Sequence, residues 1–111
     1  MRIMRYNDAK TYDAPGHYNM TPLRLHGIEA GKTEKFICGL SHFEPGGGAE
    51  MSSSDTEKIY FCIEGEITVV LDDGTQETLG LWDSCHLEPG VAREIKNISD
   101  KRASIVVVIS T

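Results

Sequence analysis

Lys58, Tyr60 and Cys62 alternate with Ile59, Phe61 and Ile63. Residues two apart on a β-strand share a face, so this run lines up an ammonium, a phenol and a thiol. Arg93, Ile95 and Asn97 form a second alternating set. Arginine offers a planar fork that grips a carboxylate or phosphate. Lysine offers a point charge or, once its pKa is lowered, a base or a Schiff-base amine. The histidines His17, His26, His42 and His86 are scattered, and no pair has metal-ligand spacing. His42 shares the parity of Leu40 and Glu44, His86 lies in a short later run, and His17 follows Pro15-Gly16. His42 and His86 can serve as acid or base near neutral pH, His17 can close the site from the N-terminal arm, and each can equally stand as a structural or surface histidine. Ser52 and Ser54 can give hydroxyl hydrogen bonds to a ligand or belong to a polar loop, and Glu50 can balance Lys58.

These residues need elements to hold them. Lys58 to Ile63 is the strongest β run, rich in β-branched and aromatic residues. Lys35 to Glu44 reads as a strand ended by Pro45-Gly46-Gly47-Gly48, a cluster expected to make a loop. Further strands are expected over Glu66 to Leu71, Thr75 to Leu79, Asp83 to Leu87, Ala92 to Ile98 and Ala103 to Ile109. Asp72-Asp73-Gly74 is a hairpin signal and Pro89-Gly90 a turn. Met1 to Tyr6 and Leu23 to His26 are two further candidate strands in a less regular N-terminal stretch. Short strands without a convincing amphipathic helix predict an all-β sandwich or closed barrel.

Composition narrows the function classes. A chain of 111 residues holds one core, and its net charge of −6 argues against a nucleic-acid partner. No apolar run is long enough to span a bilayer and no signal-peptide segment opens the chain, so neither a membrane nor export is expected. Cys38, Cys62 and Cys85 are odd in number without metal-like spacing, which fits reduced core thiols and a cytoplasmic location.

Three segments together resemble the cupin family. Pro45-Gly46-Gly47-Gly48 followed by Lys58 to Glu66, with Glu64-Gly65 at its end, is similar to the first cupin motif. Leu81-Trp82-Asp83 stands where the family usually has Gly-Asp. Leu87-Glu88-Pro89-Gly90-Val91-Ala92-Arg93-Glu94-Ile95-Lys96-Asn97 is similar to the second motif. The resemblance covers about residues 35 to 109. It implies a single-domain antiparallel jelly-roll β-barrel over residues 35–111. Residues 1–34 would be an N-terminal arm of one or two strands, packed on the barrel or on a dimer partner. Counting back from Gly65, the family's first-motif metal ligands fall at Ser52, Ser54 and Lys58, and its second-motif histidine falls at Arg93. Two hydroxyls beside two cations are the wrong donors for a divalent ion. No metal at that site, and no cofactor, is therefore expected.

If the family's register holds, Lys58, Tyr60 and Arg93 look into the barrel. The resemblance then implies a cationic pocket for a small anionic or carbohydrate-like ligand. Lys58, His42 and Tyr60 are the candidate catalytic residues. Arg93, Ser52, Ser54, Glu50, His86 and His17 are the candidate ligand-binding residues. One reading is a metal-independent isomerase, epimerase or lyase. A second is a binding or sensing module without turnover. A third is a metal-dependent, dioxygenase-like cupin with displaced ligands such as His17, His42 or Glu50. The nearly continuous apolar run Ile105 to Ile109 needs cover on both faces, which predicts a homodimer.

Overall fold

A computed structural model describes all 111 residues. Nine strands follow one another: β1 (Lys10–Thr11), β2 (His17–His26), β3 (Phe36–Ser52), β4 (Lys58–Glu64), β5 (Ile67–Leu71), β6 (Gln76–Leu79), β7 (Ser84–Leu87), β8 (Arg93–Lys96) and β9 (Ala103–Ser110). Single 3₁₀ turns at Tyr6–Asp8 and Ile28–Ala30 are the only helical elements. No helix is long and apolar enough to cross a membrane. Every strand pair is antiparallel. The order is β6-β5-β8-β3-β9-β4-β7, with β2 on β3 and β1 on β2. The chain is an all-β jelly-roll barrel.

β3 explains how one strand serves two walls. Its first half pairs with β9, from Phe36 opposite Ser110 to Phe43 opposite Ala103. Its second half pairs with β8, from Gly48 opposite Lys96 to Ser52 opposite Arg93. The glycine run lies at the crossing and does not end the strand, contrary to the loop expected there. Without side chains, the backbone can be approached where the two walls meet. A Cβ on Gly47 would sit 2.1 Å from the Asn19 carbonyl oxygen, and one on Gly48 would sit 2.2 Å from that of Ile95. The glycines thus permit a bend with continued pairing.

The other differences are local. Met1 to Arg5 is not a strand and leads into the 3₁₀ turn at Tyr6, while the Arg2 guanidinium donates to the carbonyls of Gly31 and Lys32. β2 begins at His17, earlier than the Leu23 expected, and runs along β3 from His17 opposite Ala49 to His26 opposite Cys38. The hairpin at Asp72-Asp73-Gly74 forms as expected: Gly74 takes φ +89°, and the Asp73 carboxylate accepts from the Thr75 amide at 2.8 Å. Alternation in β4 sends Tyr60 and Cys62 into the core and leaves Ile59 and Phe61 exposed. Phe43, Ile67, Ile95 and Ile105 close the interior around them.

Candidate functional site

β4, β8 and β9 meet around a cavity of about 260 Å³. Because alternation turns Lys58 and Tyr60 inward from β4 and Arg93 and Ile95 inward from β8, both cationic side chains line it. Ile105, Val107 and Ile109 of β9 form an apolar wall, and Ser41 and Phe43 of β3 complete it. The segment Tyr12 to Pro15, with His17 and Arg24, forms the rest of the lining.

Arg93 is the anchor. Only 8% of it is exposed. Its Nε donates to the Tyr60 hydroxyl at 2.7 Å, and its Nη1 donates to the Glu50 carbonyl at 3.2 Å and to Ser52 Oγ at 2.9 Å. All three acceptors are neutral, and no carboxylate pairs with the guanidinium. Lys58 Nζ donates to Ser54 Oγ at 2.6 Å and likewise has no carboxylate partner. Burial, and then the Arg93 charge, hold the Lys58 ammonium below the usual lysine range. Burial pushes the Tyr60 phenol up, although Arg93 pulls the other way, so at neutral pH the hydroxyl keeps its proton. Since its oxygen accepts from Arg93, that proton is free to be donated into the cavity.

Arg24, the third cation of the lining, is neutralised. Its Nε donates to Glu29 Oε1 at 2.9 Å, and its guanidinium carbon lies 3.7 Å from the centre of the Tyr12 ring. His17 is the one histidine in the lining. Its Nδ1 lies 3.1 Å from the Pro15 carbonyl. A carbonyl only accepts, so the proton sits on Nδ1 and Nε2 is left as the basic nitrogen.

The other expected site residues lie elsewhere. His42 points out of the barrel because its neighbours Ser41 and Phe43 point in. Its Nδ1 is 2.6 Å from Ser104 Oγ and its Nε2 is 3.0 Å from the Tyr6 hydroxyl. Ser104 donates to Glu64 Oε1 at 2.6 Å, and Arg102 pairs with Glu64 at 2.9 Å. His86 lies outside the cavity lining, 2.5 Å from the exposed Glu57 carboxylate. The Glu50 side chain is exposed and does not balance Lys58; only its carbonyl takes part, through Arg93. Ser52 and Ser54 orient the two cations. Burial raises the thiol pKa of Cys38, Cys62 and Cys85, and all three are free.

The donor set does not suit a divalent ion. Ser52, Ser54, Lys58 and Arg93 present two hydroxyls and two cations where carboxylate and imidazole are needed. His17, His42 and Glu50 do not converge with one another, and no three His, Cys, Asp or Glu side chains cluster in metal-holding geometry.

Residues 39–109 match the family described as the cupin domain. The chain is a cupin. This cupin is 40% identical, over 99% of its own length and 94% of the relative's, to a Mycobacterium tuberculosis protein named beta-D-galactosidase Rv1717. Among solved structures it is similar to the polyketide cyclase RemF from Streptomyces resistomycificus. The TM-score there is 0.86 at 19% identity, over 99% of this chain and 79% of that one. It is also similar to an RmlC-like cupin from Shewanella frigidimarina, with a TM-score of 0.80 at 15% identity over 99% and 90% of the two chains. At such identities the structural likeness speaks for the fold alone.

Tyr12, Asp13, Arg24 and Ser41 line the cavity of this cupin without any expectation from sequence. Their one local signal is Arg24, a charge set in sequence between the apolar residues Leu23 and Leu25.

Proposed function

We propose that this cupin binds a small carboxylate-bearing ligand without a metal, and that Lys58 transfers a proton in an isomerase, epimerase or lyase type of reaction. The carrying observation is that Arg93 and Lys58 line one cavity and neither has an acid partner. A buried guanidinium solvated only by neutral acceptors remains electrostatically uncompensated, and an anion is the group that completes it. Arg93 would hold the carboxylate and stabilise negative charge developing beside it. Tyr60 would donate a hydrogen bond, while Lys58 or His17 Nε2 would take the proton. The test combines calorimetry and turnover over a panel of small carboxylates and sugar acids. Turnover lost in Lys58→Met while ligand still binds supports an enzyme. Binding without turnover in the parent protein supports a sensing module. No binding of any anion overturns the reading.

The relative named beta-D-galactosidase supports a second reading, a pocket for a galactoside. Glycoside hydrolysis ordinarily uses two carboxylates about 5–10 Å apart, and Asp13 is the only carboxylate in the lining. Release of galactose from an aryl galactoside, abolished by Asp13→Asn, would favour this second reading over the first.

We also propose that the chain pairs with a second copy through the outer face of β4 and β9. There Ile59 lies opposite Val108 and Phe61 opposite Val106, while Ile105, Val107 and Ile109 turn inward. Exposed Phe36 and Trp82 extend this apolar surface, and the Trp82 ring lies 6.1 Å from that of Phe61. Light scattering at micromolar concentration should give a dimer, and Phe61→Glu a monomer. A monomeric parent protein overturns the pairing.

A further inference from the structure

We propose that Lys58 forms a covalent imine with a 2-oxo acid whose carboxylate is held by Arg93. This rests on the carboxylate-binding reading of the cavity and extends it by naming the electrophile. Ser52 and Ser54, which hold Arg93 and Lys58, are two residues apart on one chain segment. Two residues span at most about 7 Å, so the two head groups are tethered to neighbouring points. A 2-oxo acid presents its carboxylate and its electrophilic carbon on adjacent atoms, the two groups that a guanidinium and an amine lining one cavity would engage. A closed sugar ring or a simple carboxylate offers that amine no electrophilic carbon to attack.

The surroundings favour the step. An amine becomes a nucleophile when it is desolvated or stands beside a second cation. Lys58 meets both conditions, and its pKa is lowered for those two causes in that order. The wall of Ile105, Val107 and Ile109 receives an apolar substituent on the oxo acid. A cavity of 260 Å³ holds roughly nine water volumes, which suits a branched or linear aliphatic 2-oxo acid. In the reaction the neutral Nζ attacks C2 and the carbonyl π pair moves to oxygen, which takes a proton from the Tyr60 hydroxyl. The nitrogen gives up a proton to the phenolate as the carbinolamine forms. The proton that the Lys58 ammonium first gave to water returns to the new hydroxyl, and loss of water then leaves the iminium. The sum is ammonium plus ketone giving iminium plus water, with charge conserved and no oxidant or reductant required.

The experiment is borohydride trapping of the full chain with 4-methyl-2-oxopentanoate, followed by intact mass and peptide mapping. The expected product is one reduced adduct on Lys58, with Lys10, Lys32, Lys35, Lys96 and Lys101 as internal controls. Arg93→Met should slow labelling by about ten- to a hundredfold, the loss of a charge-assisted carboxylate contact. Labelling by a neutral aldehyde of similar length should fall less, since it loses only the effect of the Arg93 charge on the amine and no carboxylate contact. Lys58→Arg keeps the positive charge and should still show thermal stabilisation by the oxo acid, with no adduct. If the parent protein is stabilised equally by the 2-oxo acid and its 2-hydroxy analogue, and no adduct forms on Lys58, the imine is overturned and the anion site stands. If neither compound stabilises or labels the protein, both are overturned. Labelling spread evenly over the lysines also overturns the imine.

Discussion

Two polar clusters lie on opposite sides of the barrel wall formed by β3, β4 and β9, and they are built on different principles. Outside, Tyr6, His42, Ser104, Glu64 and Arg102 form a closed chain in which the one anion meets a cation and each nitrogen of the imidazole has a partner. Inside, Arg93 and Lys58 rest on a phenol, a carbonyl and two hydroxyls, so hydrogen bonds are satisfied while charge is not. His42 and Arg93 are equally buried, at 8% exposure each. Burial is therefore alike in the two clusters; the missing counter-charge is what sets the inner one apart. The closed cluster fastens the N-terminal segment to the sheet. The open one holds two cations without a counter-charge, and the proposed anion site rests on that.

Substitutions can break this contrast. The largest effect should come from Arg93→Met, which should weaken carboxylate binding by about 2–3 kcal/mol and leave folding stability within about 1 kcal/mol, since an uncompensated buried charge is removed. Isothermal calorimetry and denaturant titration give the two numbers. His42→Ala should do the reverse, lowering stability by about 1–3 kcal/mol through the lost imidazole hydrogen bonds and the space left at a buried position while ligand affinity is unchanged. A loss of affinity in His42→Ala would show that the two clusters are coupled.

Acidity sharpens the same contrast with opposite signs. Burial first, and then Arg102, hold the His42 pKa below its usual value. The unfolded chain therefore binds the proton more readily, and the stability owed to neutral His42 is present above the unfolded pKa of about 6.5. It is lost as pH falls from there through the lower folded value, and His42→Gln should flatten that slope in thermal melts. Glu64, held low by Ser104 and Arg102, adds a loss in the same direction at more acid pH. For the cavity, an anion favours the charged form of Lys58. Binding should weaken as pH rises through the lysine's lowered pKa and take up a proton in that range, which calorimetry in buffers of different ionisation enthalpy detects.

The smallest effect concerns Trp82. It adopts φ +72°, a backbone that favours glycine, in the motif where the family usually carries Gly-Asp. Trp82→Gly should relieve about 1–2 kcal/mol of strain and lose a ring contact of about 0.5–1.5 kcal/mol, leaving stability nearly unchanged in the monomer. In the proposed dimer, where Trp82 extends the pairing face, differential scanning calorimetry should show an added destabilisation, and its absence would take this ring out of the interface.

The barrel and its inward cations were legible because period-two alternation is a local signal. In β4 it alone decides that Tyr60 goes in and Phe61 stays out. The glycine run was misread because its value is non-local: Gly47 and Gly48 are small for the sake of Asn19 and Ile95, distant in sequence. His42 was uncertain for a related reason. Its strand was evident, but which parity faced the cavity depended on Ser41 and Phe43, and those needed the register with β9. Arg24 and Asp13 escaped notice because only the folding-back of β2 onto β3 carries the N-terminal segment to the barrel mouth.

The loop from Tyr12 to Gly16 precedes the stretch that matches the family, residues 39–109, yet Tyr12, Asp13, Ala14 and Pro15 form part of the cavity lining. Selection can therefore retune what enters by editing a handful of residues that carry no ladder of the central scaffold. Two proteins with interchangeable barrels could accept different molecules, and transplanting this short stretch between them is a direct route to exchanging their preferences.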